Sequence, residues 1–253
     1  MPLIEHTDGN YWFLPGIAAY SCGVVACPGY EIVHVTLRQP IAYQGGFDRI
    51  ADFLSAQQRP KAALCGVELR SPAPYSFAGF SELNAEYAGI LADWDVFVDG
   101  INPVARTNVA PVLGAPSKPA LYGFSFTQPS DANLPQTFVV AGAGELPEGK
   151  LEPAAIVARG DFSRAGMLQK AHAVMELMHG RLLQLGGQWS EVTHVNVYTT
   201  RFDASLVTDI VLPRATTGNV DGIVWHYSRP PVEEIEFEMD MRGVRTEFRL
   251  DLD

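Results

Sequence analysis

The sequence predicts an α+β protein of two similar halves, in each of which helices cover one face of a mixed β-sheet. The order strand, helix, strand, helix, strand, strand occurs twice, with an offset of roughly 110 to 130 residues. A segment of turn-forming residues at 128–135 separates the two occurrences. We therefore predict one domain over residues 1–130 and a second over residues 131–253.

The elements of the first half follow from hydrophobic spacing and from a capping residue. Apolar residues at helical spacing between Phe47 and Leu54 predict a short first helix. Ser76 is an N-cap for a second helix, whose apolar face runs from Phe80 to Ile90. The predicted strands of this half are residues 32–37, 61–69, 106–112 and 120–127.

The second half repeats this order with a longer first helix. A predicted strand at 136–142 leads into a loop rich in proline and glycine that extends to residue 161. Ser163 caps the long helix, which ends at two consecutive glycines, and a weaker helical segment covers residues 204–215. The remaining predicted strands are residues 192–200, 222–227 and 232–241.

Composition excludes several classes of function. The formal net charge of −11 argues against a nucleic-acid partner, because phosphates require a basic surface. The sequence contains no stretch of 18 or more apolar residues, so we expect neither a membrane span nor a membrane partner. The first residues lack the features of a signal peptide, so we expect a cytoplasmic protein. The odd number of cysteines, three, predicts reduced thiols. The six histidines are scattered along the sequence, so we expect no metal site, and we expect no cofactor.

One arginine stands out as a candidate ligand anchor. Arg106 is the single charged residue of the run Asn-Pro-Val-Ala-Arg-Thr-Asn-Val at 102–109, between a helical and a β-rich segment. A guanidinium stays charged and presents a planar fork of donors, which suits bidentate capture of a carboxylate. The alternative is a surface arginine beside a turn. The sequence context favours the anchor.

Segments of both halves resemble the RidA family, also called YjgF or reactive intermediate deaminase A. In the first half, Ala19-Tyr20-Ser21 resembles the opening tyrosine-serine pair of the family. The segment at 80–87 is similar to its second helix, and Val104-Ala105-Arg106-Thr107 to its arginine motif. In the second half, the segments at 138–142 and 232–236 resemble an early strand and the closing strand.

The resemblance implies a fold and a set of site residues. It implies two tandem chorismate-mutase-like domains, each a mixed sheet backed by two helices, and assembly as a homotrimer. In the family the arginine grips the substrate carboxylate and the tyrosine lines the same pocket, which points to Arg106 and Tyr20. Asn108, near the arginine, and Gly142, at the end of the early strand, are further candidate substrate-binding residues. In the family the closing-strand glutamate positions a water, which points to Glu234.

Each half departs from the family pattern in a complementary way. Asp221 falls about where the second half should carry its arginine, and the closing strand of the first half, residues 121–125, has no glutamate. We therefore hypothesise a composite site in which Arg106 and Tyr20 face Glu234 across a cleft between domains or subunits. The alternative for Glu234 is a solvated strand face shared with Glu236 and Glu238.

The function implied by the resemblance is hydrolysis of an imine or enamine. The substrate is a small carboxylate-bearing molecule, such as an aminomuconate-type acid, and the reaction releases ammonia without a cofactor. An arginine anchor and one carboxyl group suffice for this chemistry, because a protonated imine is already electrophilic. Two alternatives stay open: a non-catalytic protein of the same fold that binds a small acid or serves in assembly, and a chorismatase-like hydrolase.

Overall fold

A computed structural model of the chain describes residues 2–215 and 222–252. These residues form three α-helices, namely α1 (Tyr43–Ala56), α2 (Phe77–Asp93) and α3 (Arg164–Gln184). A π-helical segment follows at Leu206–Val211. The strands are β1 (Ile4–His6), β2 (Tyr11–Leu14), β3 (Gly23–Ala26), β4 (Tyr30–Ala42), β5 (Leu64–Arg70), β6 (Ala105–Pro111), β7 (Ala120–Pro129), β8 (Phe138–Gly144), β9 (His194–Tyr198), β10 (Val224–His226), β11 (Ser228–Arg229), β12 (Glu238–Gly243) and β13 (Thr246–Leu250).

The described strands build two mixed sheets that pack in layers with the helices. One sheet has the order β11-β6-β5-β7-β4-β13, and the other has the order β1-β2-β3-β8-β12-β9-β10. Most neighbours are antiparallel, whereas the pairs β5–β6, β4–β13 and β9–β10 are parallel. The α+β class is therefore confirmed. No helix in the described part of the chain is long and apolar enough to cross a membrane.

Three apolar clusters hold the layers together. One packs α1 and α2 against the six-stranded sheet, through residues such as Phe47, Tyr87 and Phe124. A second packs α3 and the π-helical segment against the seven-stranded sheet. A third, which includes Phe13 and Ile32, joins the two sheets. Burial of such a side chain stabilises a fold by about 1.5–3 kcal/mol. The cluster between the two sheets therefore adds to the stability that each sheet gains from its helices.

The predicted helix starts are confirmed by their caps. Ser76 accepts a hydrogen bond from the backbone N–H of Gly79, and Ser163 accepts one from Gly166. The predicted helix at 204–215 is instead a short π-helical segment, which is consistent with the β-branched residues and the proline in its sequence. Within the described residues, only one long helix therefore backs the seven-stranded sheet.

Sheet membership does not follow the order of the chain. Strands β1, β2 and β3, which precede residue 130, lie in the seven-stranded sheet with the strands of the second half. Conversely, β11 and β13 lie at the two edges of the six-stranded sheet. The tandem arrangement of two domains that meet at residue 130 is therefore not confirmed, and that boundary stays a prediction.

The predicted strand at 232–241 begins only at Glu238. The backbone before it forms a turn, in which Glu234 has a φ of +68°. Pro231 accepts a hydrogen bond from the backbone N–H of Tyr75, and the N–H of Glu233 donates to the carbonyl of Tyr75. Because this segment is tied to the loop before α2, Glu234 and Glu238 do not share the face of one strand.

Candidate functional site

A cavity of about 90 Å³ lies where α2, the two sheets and the loop after β8 meet. Strand β6 contributes Arg106 and Asn108 to its lining. The other half of the chain contributes Gly142 from β8 and Glu238 from β12, and Tyr20 comes from the segment before β3. Four of the five predicted site residues therefore line one cavity, together with a glutamate that was not singled out.

Arg106 is held in place by its surroundings but keeps donor capacity. Its side chain is 3% exposed and lies near the rings of Tyr20, Tyr87 and Phe80, with the guanidinium carbon 4.4, 4.7 and 5.5 Å from their centroids. Nη2 donates to Oδ1 of Asn84 on α2 at 2.5 Å. Nη1 is buried and has no hydrogen-bond partner among the described residues. A buried donor without a partner is costly, so this nitrogen fits an acceptor supplied by a ligand.

Asn108 adds a second donor of the same kind, two residues further along β6. Its Oδ1 accepts a hydrogen bond from Ser71 Oγ at 2.9 Å, which orients the amide. Its Nδ2 is buried and has no partner in the part of the chain that the structure describes. Two unpaired donors on one strand suit the oxygens of a carboxylate.

Glu238 supplies a buried carboxyl group to the cavity. Its side chain is 4% exposed, at the start of β12, opposite Gly144 of β8. Burial raises the pKa of Glu238 well above its ordinary value, and the carboxylates of Asp240 and Glu145 raise it further. Arg106 and Arg181 act in the opposite direction but more weakly. Glu238 therefore keeps its proton at a pH where a surface glutamate is ionised, so it can act as an acid.

A buried ion pair fixes the segment that leads to Glu238. Glu145 accepts hydrogen bonds from the backbone N–H groups of Glu236 and Phe237 at 2.8 and 3.0 Å. Lys170 on α3 donates to the same carboxylate at 3.1 Å, and neither side chain is exposed. Because both oxygens of Glu145 hold the backbone just before β12, this pair positions Glu238.

Gly142 has a steric role in this site. A Cβ at this position would lie 2.5 Å from Oε1 of Glu238 and 3.1 Å from Cγ2 of Thr107. Glycine therefore leaves the space that the carboxyl group occupies. The backbone N–H of Gly142 donates to Thr107 Oγ1 at 3.1 Å, which joins β8 to β6 at the cavity.

Replacement of Gly142 by alanine is expected to displace the carboxyl group of Glu238. This should lower kcat/KM for a reaction in this cavity by at least about tenfold, because a displaced group loses its alignment with a bound substrate. The matched control is Gly45→Ala on α1, where an added Cβ meets nothing within 4 Å. Steady-state kinetics of both variants, with circular dichroism to verify folding, test this. Equal activity of the two variants would contradict the role of Gly142.

The opposite wall carries Arg181 of α3 and the loop after β8. Arg181 makes a two-point ion pair with Glu148, with N···O distances of 2.6 and 3.0 Å, and donates to the carbonyl of Ala141. Burial raises the pKa of the nearby Cys22 thiol to about 11. Cys22 is therefore a neutral thiol rather than a nucleophile. Lys150 lies exposed at the mouth of the cavity.

Glu234 does not line this cavity, so the described chain does not bring Arg106 and Glu234 together within one subunit, and their pairing across subunits stays a prediction. Glu234 lies on the surface, 46% exposed, and its carboxylate binds the guanidinium of Arg159 at 2.7 and 2.9 Å. This hydrogen-bonded pair lowers the pKa of Glu234. The alternation of glutamates in the sequence suggested a continuous strand, whereas the turn moves Glu234 outward and leaves Glu238 at the site.

The counterpart predicted for Arg106 in the second half is not described. Arg106 itself lies opposite Val67 in the parallel pair β5–β6. Asp221, predicted to take the arginine's place, lies outside the described residues. Among the described residues, no group of three or more His, Cys, Asp or Glu side chains is arranged to hold a metal ion.

Comparison with known proteins identifies the family. Residues 3–248 match the family described as 2-aminomuconate deaminase CnbZ. The chain belongs to this family. A 2-amino-5-chloromuconate deaminase from Comamonas testosteroni is 38% identical over 243 residues, which cover 95% of this chain and 96% of that protein. These matches show membership of the CnbZ family and do not show membership of the RidA family itself.

Two solved structures resemble the fold of this CnbZ-family chain to different extents. A chorismatase crystal structure superposes with a TM-score of 0.51 at 13% identity, over 88% of this chain and 77% of that chain. At this identity, the likeness concerns the fold alone. A putative endoribonuclease from Thermotoga maritima covers 43% of this chain and 79% of that chain, at 18% identity and a TM-score of 0.30.

Proposed function

We propose that this protein hydrolyses the C–N bond of a 2-aminomuconate-type acid and releases ammonia. The observation that carries the proposal is the presence, in one cavity, of an arginine with an unpaired buried donor and a carboxyl group with a raised pKa. The relative from Comamonas testosteroni carries the name of a deaminase of this substrate class. The family description names the same chemistry.

The reaction consumes one water and needs no oxidant or reductant. The enamine takes up a proton on carbon to become the imine, and a proton on nitrogen makes the imine carbon electrophilic. Water adds to that carbon to form a carbinolamine. The C–N bond then breaks, the nitrogen leaves as ammonia and the oxygen becomes the carbonyl of a 2-oxo acid. The protein has to hold the acid, admit the water and move protons.

The residues of the cavity fit these tasks. Arg106 Nη1 and Asn108 Nδ2 bind the carboxylate next to the reacting carbon, because both are buried donors without another partner among the described residues. Glu238 donates a proton to the nitrogen and, once ionised, accepts one from the attacking water. Tyr20 lies against the guanidinium and limits how the substrate enters.

A muconate-type substrate carries a second carboxylate at its far end. The cavity opens towards the loop after β8, where Lys150 lies at the mouth and Arg181 lies deeper, paired with Glu148. We propose that the distal carboxylate lies on this side, attracted by the ammonium group of Lys150. A dicarboxylate then spans the cavity between two cationic ends, whereas a monocarboxylate uses only Arg106.

The test is ammonia release by the purified protein from 2-aminomuconate, with 2-iminobutyrate and chorismate as comparison substrates. We expect turnover of 2-aminomuconate and a lower kcat/KM for 2-iminobutyrate, which lacks the distal carboxylate. Binding of 2-oxo acids without acceleration of either deamination would support the non-catalytic alternative. Turnover of chorismate alone would support the chorismatase-like alternative. The homotrimer, the cytoplasmic location and the lack of nucleic-acid and membrane partners stay predictions.

A further inference from the structure

A second cleft, of about 300 Å³, lies between the two sheets and shares no lining residue with the first cavity. Its walls come from β4, β5, β7 and β13 on one side and from β9, β10 and β12 on the other. The proposed deaminase chemistry does not use it. Its polar lining, which includes two buried arginines, is unusual for a simple packing defect.

Arg70 is the central group of this cleft. It is 5% exposed, and its guanidinium carbon lies 3.7 Å from the ring centroid of Tyr122 and 5.7 Å from that of Tyr198. Nη1 donates to the carbonyl of Leu69 at 3.0 Å. Nη2 forms a long ion pair with Glu68, with an N···O distance of 3.5 Å. Stacking on the two tyrosine rings holds the plane of the guanidinium in the wall of the cleft.

The three carboxyl groups near Arg70, those of Glu68, Asp240 and Glu247, each have partners other than Arg70. Glu247 is already bound by Arg242 at 2.8 Å. Asp240 accepts hydrogen bonds from Asn196 at 2.7 Å and from Tyr198 at 2.8 Å. Glu68 is shared, since it lies near Arg70, Arg242 at 3.7 Å and His34 at 3.5 Å.

The rim of the cleft adds a cation and apolar surface. Arg249 is exposed and makes no ion pair within the described ranges. Phe248 and Val224 line the cleft and are 45% and 42% exposed. Inside, the ring of His226 stacks on Tyr198, with centroids 4.6 Å apart. Burial lowers the pKa of His226, so its imidazole is neutral and offers a flat face rather than a charge.

We propose that this cleft is a second binding site, which takes a small planar aromatic or conjugated carboxylate. Its carboxylate lies on the edge of Arg70 and near Arg249, and its apolar part covers Phe248 and Val224. Cationic groups with flat or apolar walls recognise this class of ligand. An inorganic anion would not use the apolar rim, and a neutral aromatic molecule would not need Arg70.

Benzoate is the probe, and the Arg106→Met variant is the background, so that the first cavity contributes no carboxylate anchor. Isothermal titration of that variant should show one benzoate site. Adding Arg70→Met should weaken this binding by at least about tenfold, the loss of one charge-assisted pair. Adding Arg249→Met or Phe248→Ser, on the exposed rim, should weaken it by a smaller factor. Arg38→Met, at an exposed arginine outside the cleft, is the matched control.

The outcomes decide the proposal even if Arg70→Met does not fold. Absence of benzoate binding in the Arg106→Met background overturns it. Binding that is unchanged by both Arg249→Met and Phe248→Ser also overturns it. Binding of chloride or phosphate in place of benzoate, with the same dependence on Arg70 but none on Phe248, shows an anion site without the aromatic specificity and contradicts the proposed ligand class. The result does not depend on whether the protein is a deaminase.

Discussion

Replacement of Glu238 by glutamine is expected to lower kcat by about 10²- to 10⁴-fold, the range for removal of a general acid–base group. Glutamine keeps the size and one acceptor oxygen but cannot transfer a proton as an acid. KM should change little, because the substrate carboxylate is proposed to bind to Arg106 and Asn108. Ammonia release at saturating substrate measures the effect.

The pH dependence of the stability of Glu238→Gln tests the raised pKa of Glu238 independently of activity. The pKa of Glu238 is raised in the folded protein, so the folded state holds this proton more tightly than the unfolded state. The free energy of unfolding of the wild type therefore falls as pH rises from the unfolded pKa, about 4.3, to the folded pKa. The amide of the variant does not titrate, so this loss is absent from it. The Tm of Glu238→Gln relative to wild type should thus be higher at pH 8 than at pH 5.

The same shift governs the pH dependence of wild-type activity. A general acid must be protonated in the free enzyme, so kcat/KM should decline as pH rises through the raised pKa of Glu238. The matched control for the Glu238 variant is Glu234→Gln, at an exposed glutamate that does not line the cavity. We expect this control to keep activity within about twofold of wild type, as for surface changes. Equal losses in both variants would contradict the assignment of Glu238.

Replacement of Arg106 by methionine is expected to reduce kcat/KM by about 10²- to 10³-fold, mainly through KM, because the substrate carboxylate loses a buried charge-assisted partner. Lysine at this position should restore only part of the loss, since an ammonium cannot present two parallel donors. Kinetics of both variants with a dicarboxylate and a monocarboxylate measure this. The monocarboxylate should lose more, because it has no second cationic contact.

The control for Arg106 is Arg38→Met, at an exposed arginine whose partner Asp251 is also on the surface. Surface ion pairs contribute about 0–1 kcal/mol, so this variant should behave as wild type. A loss of kcat with unchanged KM in Arg106→Met would place the guanidinium at the transition state rather than at the bound carboxylate.

Most elements of the fold could be predicted because their signals are local. Ser76 and Ser163 mark helix starts, and apolar spacing identifies the helices that they begin. The pairing of strands across the chain was not predictable in this way. Strand β13 pairs with β4, about 200 residues earlier in the chain. This pairing depends on long-range packing, which hydrophobic periodicity does not predict.

Proximity of the candidate residues was predictable where a motif carries them. The resemblance places Arg106 and Tyr20 in one pocket, and both line the cavity together with Asn108 and Gly142. Their roles in binding stay predictions. The glutamate that lines this cavity is Glu238, four residues after the predicted Glu234. The glutamates of this segment look alike in sequence, and only the turn at Glu234 separates them. Asn84 and Arg181 lie on helices that meet the cavity through tertiary packing, so single-sequence reasoning had little basis on which to select them.

The exchange of strands between the two sheets has a consequence for folding. The first strands of the chain complete the later sheet, and the last strand completes the earlier one. During synthesis, strand β4 therefore leaves a sheet edge unpaired until residues 246–250 have emerged from the ribosome. Neither half is expected to persist alone after cleavage near residue 130, because each would expose an unpaired sheet edge and part of the apolar cluster between the sheets.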